Sequence, residues 1–411
     1  VGGSALATHA ATLAPLDLAA VPVGITVTTL IGAEAYGRLG IWLRTGDVTG
    51  DGVADLLIGA DQENTGGEAD SGAAYLVRGG VHLSSGATVD FATFGATALA
   101  GNLAKIVPPS SSIEYHFGAT CQVADLDDNG RAEVLIAATI NRAGASLRAS
   151  SSSASQAHGG GGAPDGALYI AWDDNFPADP WDDGYIVAMD DAPGGTSIIR
   201  GGSRNVSFGE EILGGLDFDD DGTPDLFVGD IVGDVTANQS RFHSGSGHLL
   251  YNAPSLKNAP EFTLDAPPEN LVMTTFIGPA IGDIASDTAL QGDFDADGFP
   301  DLAFSSPHGT PRGRDEAGIV HIAHGQVGYF PARIDLRVGE QPDGAEVRLT
   351  EIHGVKAGDV LCYSAATADH DGDGIDDLVV NEMLGDGISP GTENTGNLIV
   401  ISGTLIRDLP R

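Results

Sequence analysis

Residues 217–229 read DFDDDGTPDLFVG. Side-chain oxygens fall at relative positions 1, 3, 5 and 9 (Asp217, Asp219, Asp221 and Asp225), and a glycine stands at position 6 (Gly222), where the chain must turn sharply. An apolar run follows at once. Alternate carboxylates on a tight turn, with a backbone carbonyl, supply the oxygen shell of Ca²⁺, a hard cation that takes six to eight oxygens and no sulfur. Four further stretches keep the register: Asp47, Thr49, Asp51 and Asp55; Asp125, Asp127, Asn129 and Glu133; Asp293, Asp295, Asp297 and Asp301; Asp369, Asp371, Asp373 and Asp377. Each has glycine at position 6 (Gly52, Gly130, Gly298 and Gly374). One such loop could be an ordinary Asp-Gly turn. Five in one register predict about five calcium ions, with the second loop weakest, since Asn129 and Glu133 replace aspartates.

The first aspartates stand at 47, 125, 217, 293 and 369, so the loops mark an internal repeat, and a repeat of this length signals an array or a propeller. Each unit carries four short strand-like runs. The first (A) leads into the acidic loop and the second (B) leaves it, as in LLIGA from Leu56 and LAFSS from Leu302. The third (C) follows a glycine, at 73–77, 167–171, 248–251, 319–323 and 397–401. The fourth (D) comes after a polar linker, at 96–100, 196–200, 271–277 and 346–350. Four short antiparallel strands per unit make one propeller blade, so the fold is expected to be all-β, a single domain over 1–411. The fifth unit lacks a D strand, and a spare one, ITVTTLIG at 25–32, precedes the first A strand. The expectation is therefore a ring of five blades in which the N-terminal strand completes the last blade, covering its free edge.

Phe117-Gly118, Phe208-Gly209 and, at a longer offset, Tyr36-Gly37 precede these acidic loops, and a glycine-led strand follows them. In this order of motifs the chain resembles the FG-GAP repeat family, which builds the head of the integrin α subunit, across nearly its whole length. The resemblance implies a β-propeller with structural calcium on one face and ligand binding on the other. Integrin heads have seven shorter blades, which makes seven the alternative number. The aromatic-Gly pair is also missing from the fourth and fifth units, where Ala285-Ser286 and Leu361-Cys362 stand.

The formal net charge is −39, with 58 acidic residues against 19 basic ones. Five Ca²⁺ ions would leave about −29, a surface that repels phosphate backbones and anionic lipid. Nucleic acid is thereby excluded as a partner. No apolar segment approaches the roughly 20 residues that span a bilayer, so membrane insertion is not expected. Two cysteines, Cys121 and Cys362, are too few for a disulfide framework and read as buried thiols. No catalytic constellation emerges: the chain has no G-x-S-x-G, H-E-x-x-H or C-x-x-C. His321 and His324 lie three apart on a strand-like run and so face opposite ways. Trp181 and Phe176 read as cover over a blade edge. The ligand face is expected to present Tyr115, His116, Arg142, His308, Arg312 and Arg314, beside a Ser/Gly-rich insertion at 139–166. The expected function is a monomeric binding or adhesion module, extracellular, periplasmic or on the cell surface, recognising a protein or glycan ligand. The alternative is a secreted polysaccharide lyase or hydrolase on the same scaffold, since fold does not fix function.

Overall fold

A computed structural model describes residues 18–409 apart from 20, 22, 67–68, 95–98, 111–115, 140–165, 203–206, 237–239, 338–346, 388–390 and 392. Most of the Ser/Gly-rich insertion, Tyr115 and Arg142 lie outside the described residues.

The strands follow the repeat. A first strand, β1 (Thr29–Ile31), precedes unit one, which holds β2 (Leu43–Gly46), β3 (Asp55–Ala60), β4 (Ala73–Val77), β5 (Thr88–Asp90) and β6 (Leu103–Val107). Unit two holds β7 (Phe117–Ala124), β8 (Glu133–Ala138), β9 (Ala167–Ala171), β10 (Tyr185–Ala188) and β11 (Thr196–Arg200). Unit three holds β12 (Glu211–Leu216), β13 (Asp225–Asp230), β14 (Ser246–Leu250), β15 (Phe262–Thr263) and β16 (Met273–Ile277). Unit four holds β17 (Ala289–Gly292), β18 (Asp301–Ser306), β19 (Ile319–Ala323), β20 (Arg333–Asp335) and β21 (Leu349–His353). Unit five holds β22 (Leu361–Ala368), β23 (Asp377–Glu382) and β24 (Asn397–Ile401), with a short helix at Gly403–Arg407. The protein is thus all-β, with one antiparallel propeller sheet per unit. The A, B, C and D strands are neighbours in each of the first four sheets, and A, B and C in the last. The first D strand is Leu103–Val107 and not 96–100, because Leu103 to Ile106 supply the buried apolar residues that pair with β4.

One regularity was not expected. The linkers of units two, three and four each send a strand back to lie parallel along the D strand before it: β10 on β6, β15 on β11 and β20 on β16. A parallel strand from the neighbouring unit covers an edge that would otherwise be free to pair with another chain.

Closure departs from the expectation. β1 pairs with β5, parallel, in a sheet of two. It therefore has the outer partner that a D strand has elsewhere and not the inner one. Among the described residues no strand is hydrogen-bonded to the outer edge of β24. The reason lies in packing. Leu30 and Leu39 bury against a cluster of Ile58, Tyr75, Val89 and Phe91 on the open face of the first sheet, which holds β1 there. Among the described residues nothing covers the C strand of the last sheet, in which Leu398 is 72% and Val400 59% exposed, whereas the other four C strands are buried throughout. The rest of the core lies in layers between successive sheets, such as Phe117 and Tyr169 between the first two and Phe227, Phe276 and Phe304 between the third and fourth.

Candidate metal centres

All five acidic loops fold alike. The position-1 aspartate accepts the N–H of position 5 at 3.1 to 3.2 Å through one oxygen and that of the position-6 glycine at 2.8 to 3.1 Å through the other. The position-5 side chain accepts the N–H of position 7 at 2.8 to 3.0 Å. Position 6 has φ between +82° and +91° in every loop, with open space where a Cβ would stand, so glycine is needed there for its backbone freedom alone. Position 4 is left-handed as well (Gly50, Asp128, Asp220, Ala296 and Gly372), a requirement hidden in the sequence because two glycines, two aspartates and an alanine share no single side chain.

Position 9 acts as a clamp. Its carboxylate is buried in all five loops and accepts the N–H of position 2, from Val48 to Asp55 at 3.0 Å and from Phe218 to Asp225 at 2.9 Å for example. The other oxygen takes a backbone N–H just beyond the C strand: Gly79 to Asp55, Asn252 to Asp225, Gly325 to Asp301 and Gly403 to Asp377, at 2.8 to 3.0 Å. Each acidic loop is thereby tied to the C strand of its own blade. The second loop is the exception, because Glu133 reaches farther and its Oε1 is buried with no hydrogen-bond partner.

The donor set fits a hard dication. Three carboxylates converge in Asp125, Asp127 and Glu133, in Asp217, Asp219 and Asp225, in Asp293, Asp295 and Asp297, and in Asp369, Asp371 and Asp377. These groups could hold a metal ion, and the orphaned Glu133 Oε1 and Asp127 Oδ1 are buried oxygens that a cation would satisfy. The first loop, with Thr49 at position 3, brings fewer charges together. Basic side chains already lean on some loops: Arg78 lies 3.1 Å from Asp51, Lys257 lies 3.4 Å from Asp127, and Arg348 pairs with Asp295. Among the described residues no ion pair reaches a carboxylate of the third or fifth loop. Burial pushes Asp225 up to about 7 and Glu133 up to about 8, and the neighbouring aspartates of each loop add to the rise.

A second acidic group lies among the inner strands, where β2, β7, β12, β17 and β22 succeed one another. Glu210 and Glu211 at the start of β12, Asp287 before β17 and Tyr363 in β22 feel one another's charge, and Arg44 of β2 acts on Glu211. Burial raises Glu211 to about 8, and Asp287 and Asp230 to about 7. Burial lowers His248 and His321 to about 3. A carboxyl raised in the fold contributes stability below its unfolded value, and that contribution is lost as pH climbs through the folded one. A histidine lowered in the fold costs stability once pH falls below its unfolded value of about 6.5. Cation-free protein should therefore melt progressively lower as pH rises from 6 to 8.5. A melting temperature that climbs steadily between those values would contradict these assignments.

Comparison with known families matches residues 39–77 and 287–322, within the first and fourth units, to the FG-GAP repeat. The chain carries FG-GAP repeats. No curated protein matches it. The FG-GAP register explains the missing aromatic-Gly pairs. Gly118, Gly209, Ser286 and Cys362 all have positive φ (94°, 101°, 73° and 65°), and Ala285-Ser286 and Leu361-Cys362 occupy the place of Phe-Gly. In the first unit the place belongs to Leu39-Gly40 (φ 88° at Gly40) and not to Tyr36-Gly37. The N–H of Gly40 donates to Gly59, as Gly209 does to Gly229 and Ser286 to Ser305, at 2.8 to 3.0 Å. The residue before this turn docks on the glycine that leads the preceding C strand. Phe117 N–H donates to Ser71, Ala285 to Ser244 and Leu361 to Ala317.

Three of the four expected contact residues that the structure describes are engaged. His116 Nδ1 lies 3.1 Å from Asp61, which Arg38 also holds, and together they keep the Asp61 carboxyl below its ordinary range despite burial. Arg314 donates to the Gly354 carbonyl at 2.9 Å, His308 faces Glu316 at 3.5 Å, and Arg312 is exposed. Trp181 is buried against Phe176 and Tyr185. Cys121 and Cys362 are buried free thiols. Ser306, His321 and Glu351 line up across the fourth sheet, with Ser306 Oγ 3.0 Å from His321 Nε2 and Glu351 3.7 Å from Nδ1. Ser306 is wholly buried, so this row belongs to the interior of the sheet. Among the described residues no helix is long and apolar enough to cross a membrane.

Proposed function

We propose that this FG-GAP protein is an extracellular, calcium-stabilised binding module that recognises a protein or glycan ligand through the face opposite the acidic loops. The observation that carries this reading is the fivefold recurrence of one oxygen-lined loop, four of them clamped to their own blade by the position-9 carboxylate. A cation held there stiffens the loop face and leaves the opposite loops free to vary. Calcium titration should show the third and fifth loops filling first and the second last, because Lys257 competes for Asp127. Binding to a glycan and protein array, with and without Ca²⁺, tests recognition. A protein that binds no Ca²⁺ and no ligand on such an array sinks the proposal.

The alternative, a secreted polysaccharide lyase or hydrolase, is favoured by one observation, the raised carboxyls Glu211 and Asp287 beside Tyr363. Carboxyls that hold a proton near neutrality are what acid–base chemistry on a sugar requires. Turnover of acidic polysaccharides that disappears in Glu211→Gln would favour the enzyme.

A further inference from the structure

Directly after the fourth C strand, β19, comes His324. Its backbone N–H donates to the Arg348 carbonyl at 3.1 Å, which fixes it beside the start of β21. The imidazole is buried, 2% exposed, and its Nδ1 lies 3.4 Å from Asp295 Oδ2 and 3.3 Å from Asp301 Oδ2, two carboxylates that are themselves no more than 1% exposed. Nδ1 has no hydrogen bond of acceptable geometry, while Nε2 contacts Thr350 Oγ1 at 2.8 Å. Asp301 Oδ2 also accepts the N–H of Phe294 at 3.0 Å and its Oδ1 that of Gly325 at 2.8 Å, and Arg348 pairs with the same Asp295 oxygen that faces the imidazole. Asp295 Oδ1 faces the acidic loop, accepting from the N–H of Asp297 at 3.3 Å, so the two oxygens of this residue serve different sides. The residues that follow the other C strands are Arg78, Trp172, Tyr251 and Ser402, none of which brings an imidazole to a loop.

We infer that Asp295, Asp301 and His324 form a mixed nitrogen–oxygen site for a first-row transition dication, zinc fitting best, behind the fourth acidic loop. Three donor atoms converge in a place closed to water, and one of them is a nitrogen aimed at two anions. Ligand atoms around a tetrahedral metal with bonds of about 2.0 Å stand roughly 3.3 Å apart, close to the separations seen. An octahedral Ca²⁺ at about 2.4 Å would accept similar separations, so the donor type decides: imidazole suits zinc, copper, iron and nickel, whereas calcium takes oxygen. Thr350 stands where the second partner of a metal-bound histidine belongs, and with Nε2 as donor the Nδ1 lone pair faces the pocket.

This inference rests on reading the fourth loop as a cation site, and the test separates the two. The full chain is first held in excess Ca²⁺, so that all-oxygen sites are filled, and then titrated with Co²⁺ and Zn²⁺. One equivalent of Co²⁺ should produce the visible absorption of a low-coordinate nitrogen–oxygen site, and one equivalent of Zn²⁺ should abolish it. His324→Asn should lose the band and weaken Zn²⁺ binding at least tenfold, while His82→Asn, on a surface turn, should change neither. Thr350→Val keeps the imidazole and removes its partner, and should weaken Zn²⁺ by about tenfold, which serves if His324→Asn fails to fold. Zn²⁺ binding unchanged in these variants, or absent from the wild type, overturns the site and leaves His324 a buried side chain packed beside two carboxylates. The effect of Ca²⁺ alone on melting, measured in the same samples, reports on the calcium reading: a cobalt band without it would sink that reading and keep this one.

Discussion

Chelation of divalent cations should lower the melting temperature of this protein by roughly 10 to 20 °C. Each ion bound only to the native state adds about 2.7 kcal/mol at a hundredfold excess over its dissociation constant. Two well-filled loops, the third and the fifth, therefore supply about 5 kcal/mol, comparable with the whole stability of many domains, and each kcal/mol moves the midpoint by about 2 to 4 °C. The loss should be cooperative, since four of the five loops are fastened to a C strand through their position-9 carboxylate. Backbone N–H groups already hold the position-1 and position-9 carboxylates, so the turns should persist locally while their blades loosen. Calorimetry with and without chelator at pH 7.5 measures this directly, and an unchanged midpoint would falsify the calcium assignment.

Gly245→Ala should cost about 3 kcal/mol or more, against about 1 to 2 kcal/mol for Gly222→Ala. Both glycines have φ near +80°, so both pay the left-handed penalty. At Gly222 nothing lies within 4 Å of the new Cβ, whereas at Gly245 it would meet the backbone nitrogen and oxygen of Ala285 at 2.3 Å. That contact is the docking of unit four on unit three, and main chain on both sides leaves nothing flexible to give way. Gly72 is pressed on Phe117 in the same manner, with its Cβ position 2.1 Å from the Phe117 carbonyl oxygen, and Gly318 on Leu361. Denaturant midpoints should therefore separate the seam glycines from the loop glycines. Equal costs at Gly245 and Gly222 would show that the seam relaxes.

The acidic loops, the B strand that begins at each position 9, and four of the five C strands were legible in the chain itself, because a turn closed by side chains within eight residues and a five-residue buried strand are local events. Asp217 to Asp225 contains nearly all the donors that shape its own loop. The FG-GAP turn was only half legible. Phe117-Gly118 and Phe208-Gly209 announce it, but Leu39-Gly40, Ala285-Ser286 and Leu361-Cys362 adopt it without the signature, since what the turn requires is a left-handed residue docked on a neighbouring glycine.

Partner choice between distant strands was decided by the tertiary structure alone. The pattern of ITVTTLIG marks a strand with an apolar residue to bury, yet two edges were open to it, β5 and β24, and hydrogen-bonding potential is the same along either. The packing of Leu30 against the cluster around Val89 and Phe91 settled the matter. The parallel cover strands β10, β15 and β20 were invisible for the same reason, being two to four residues long and stable only against an existing sheet. Convergence over long sequence separations likewise escaped the chain. His324 reads as one more histidine until folding brings it to Asp295 and Asp301, and Glu211 and Asp287 as ordinary surface acids until the inner strands set them side by side. Sequence spacing encodes what a residue can do within its own turn or strand, whereas burial and charge among residues from different blades exist only once the blades have packed.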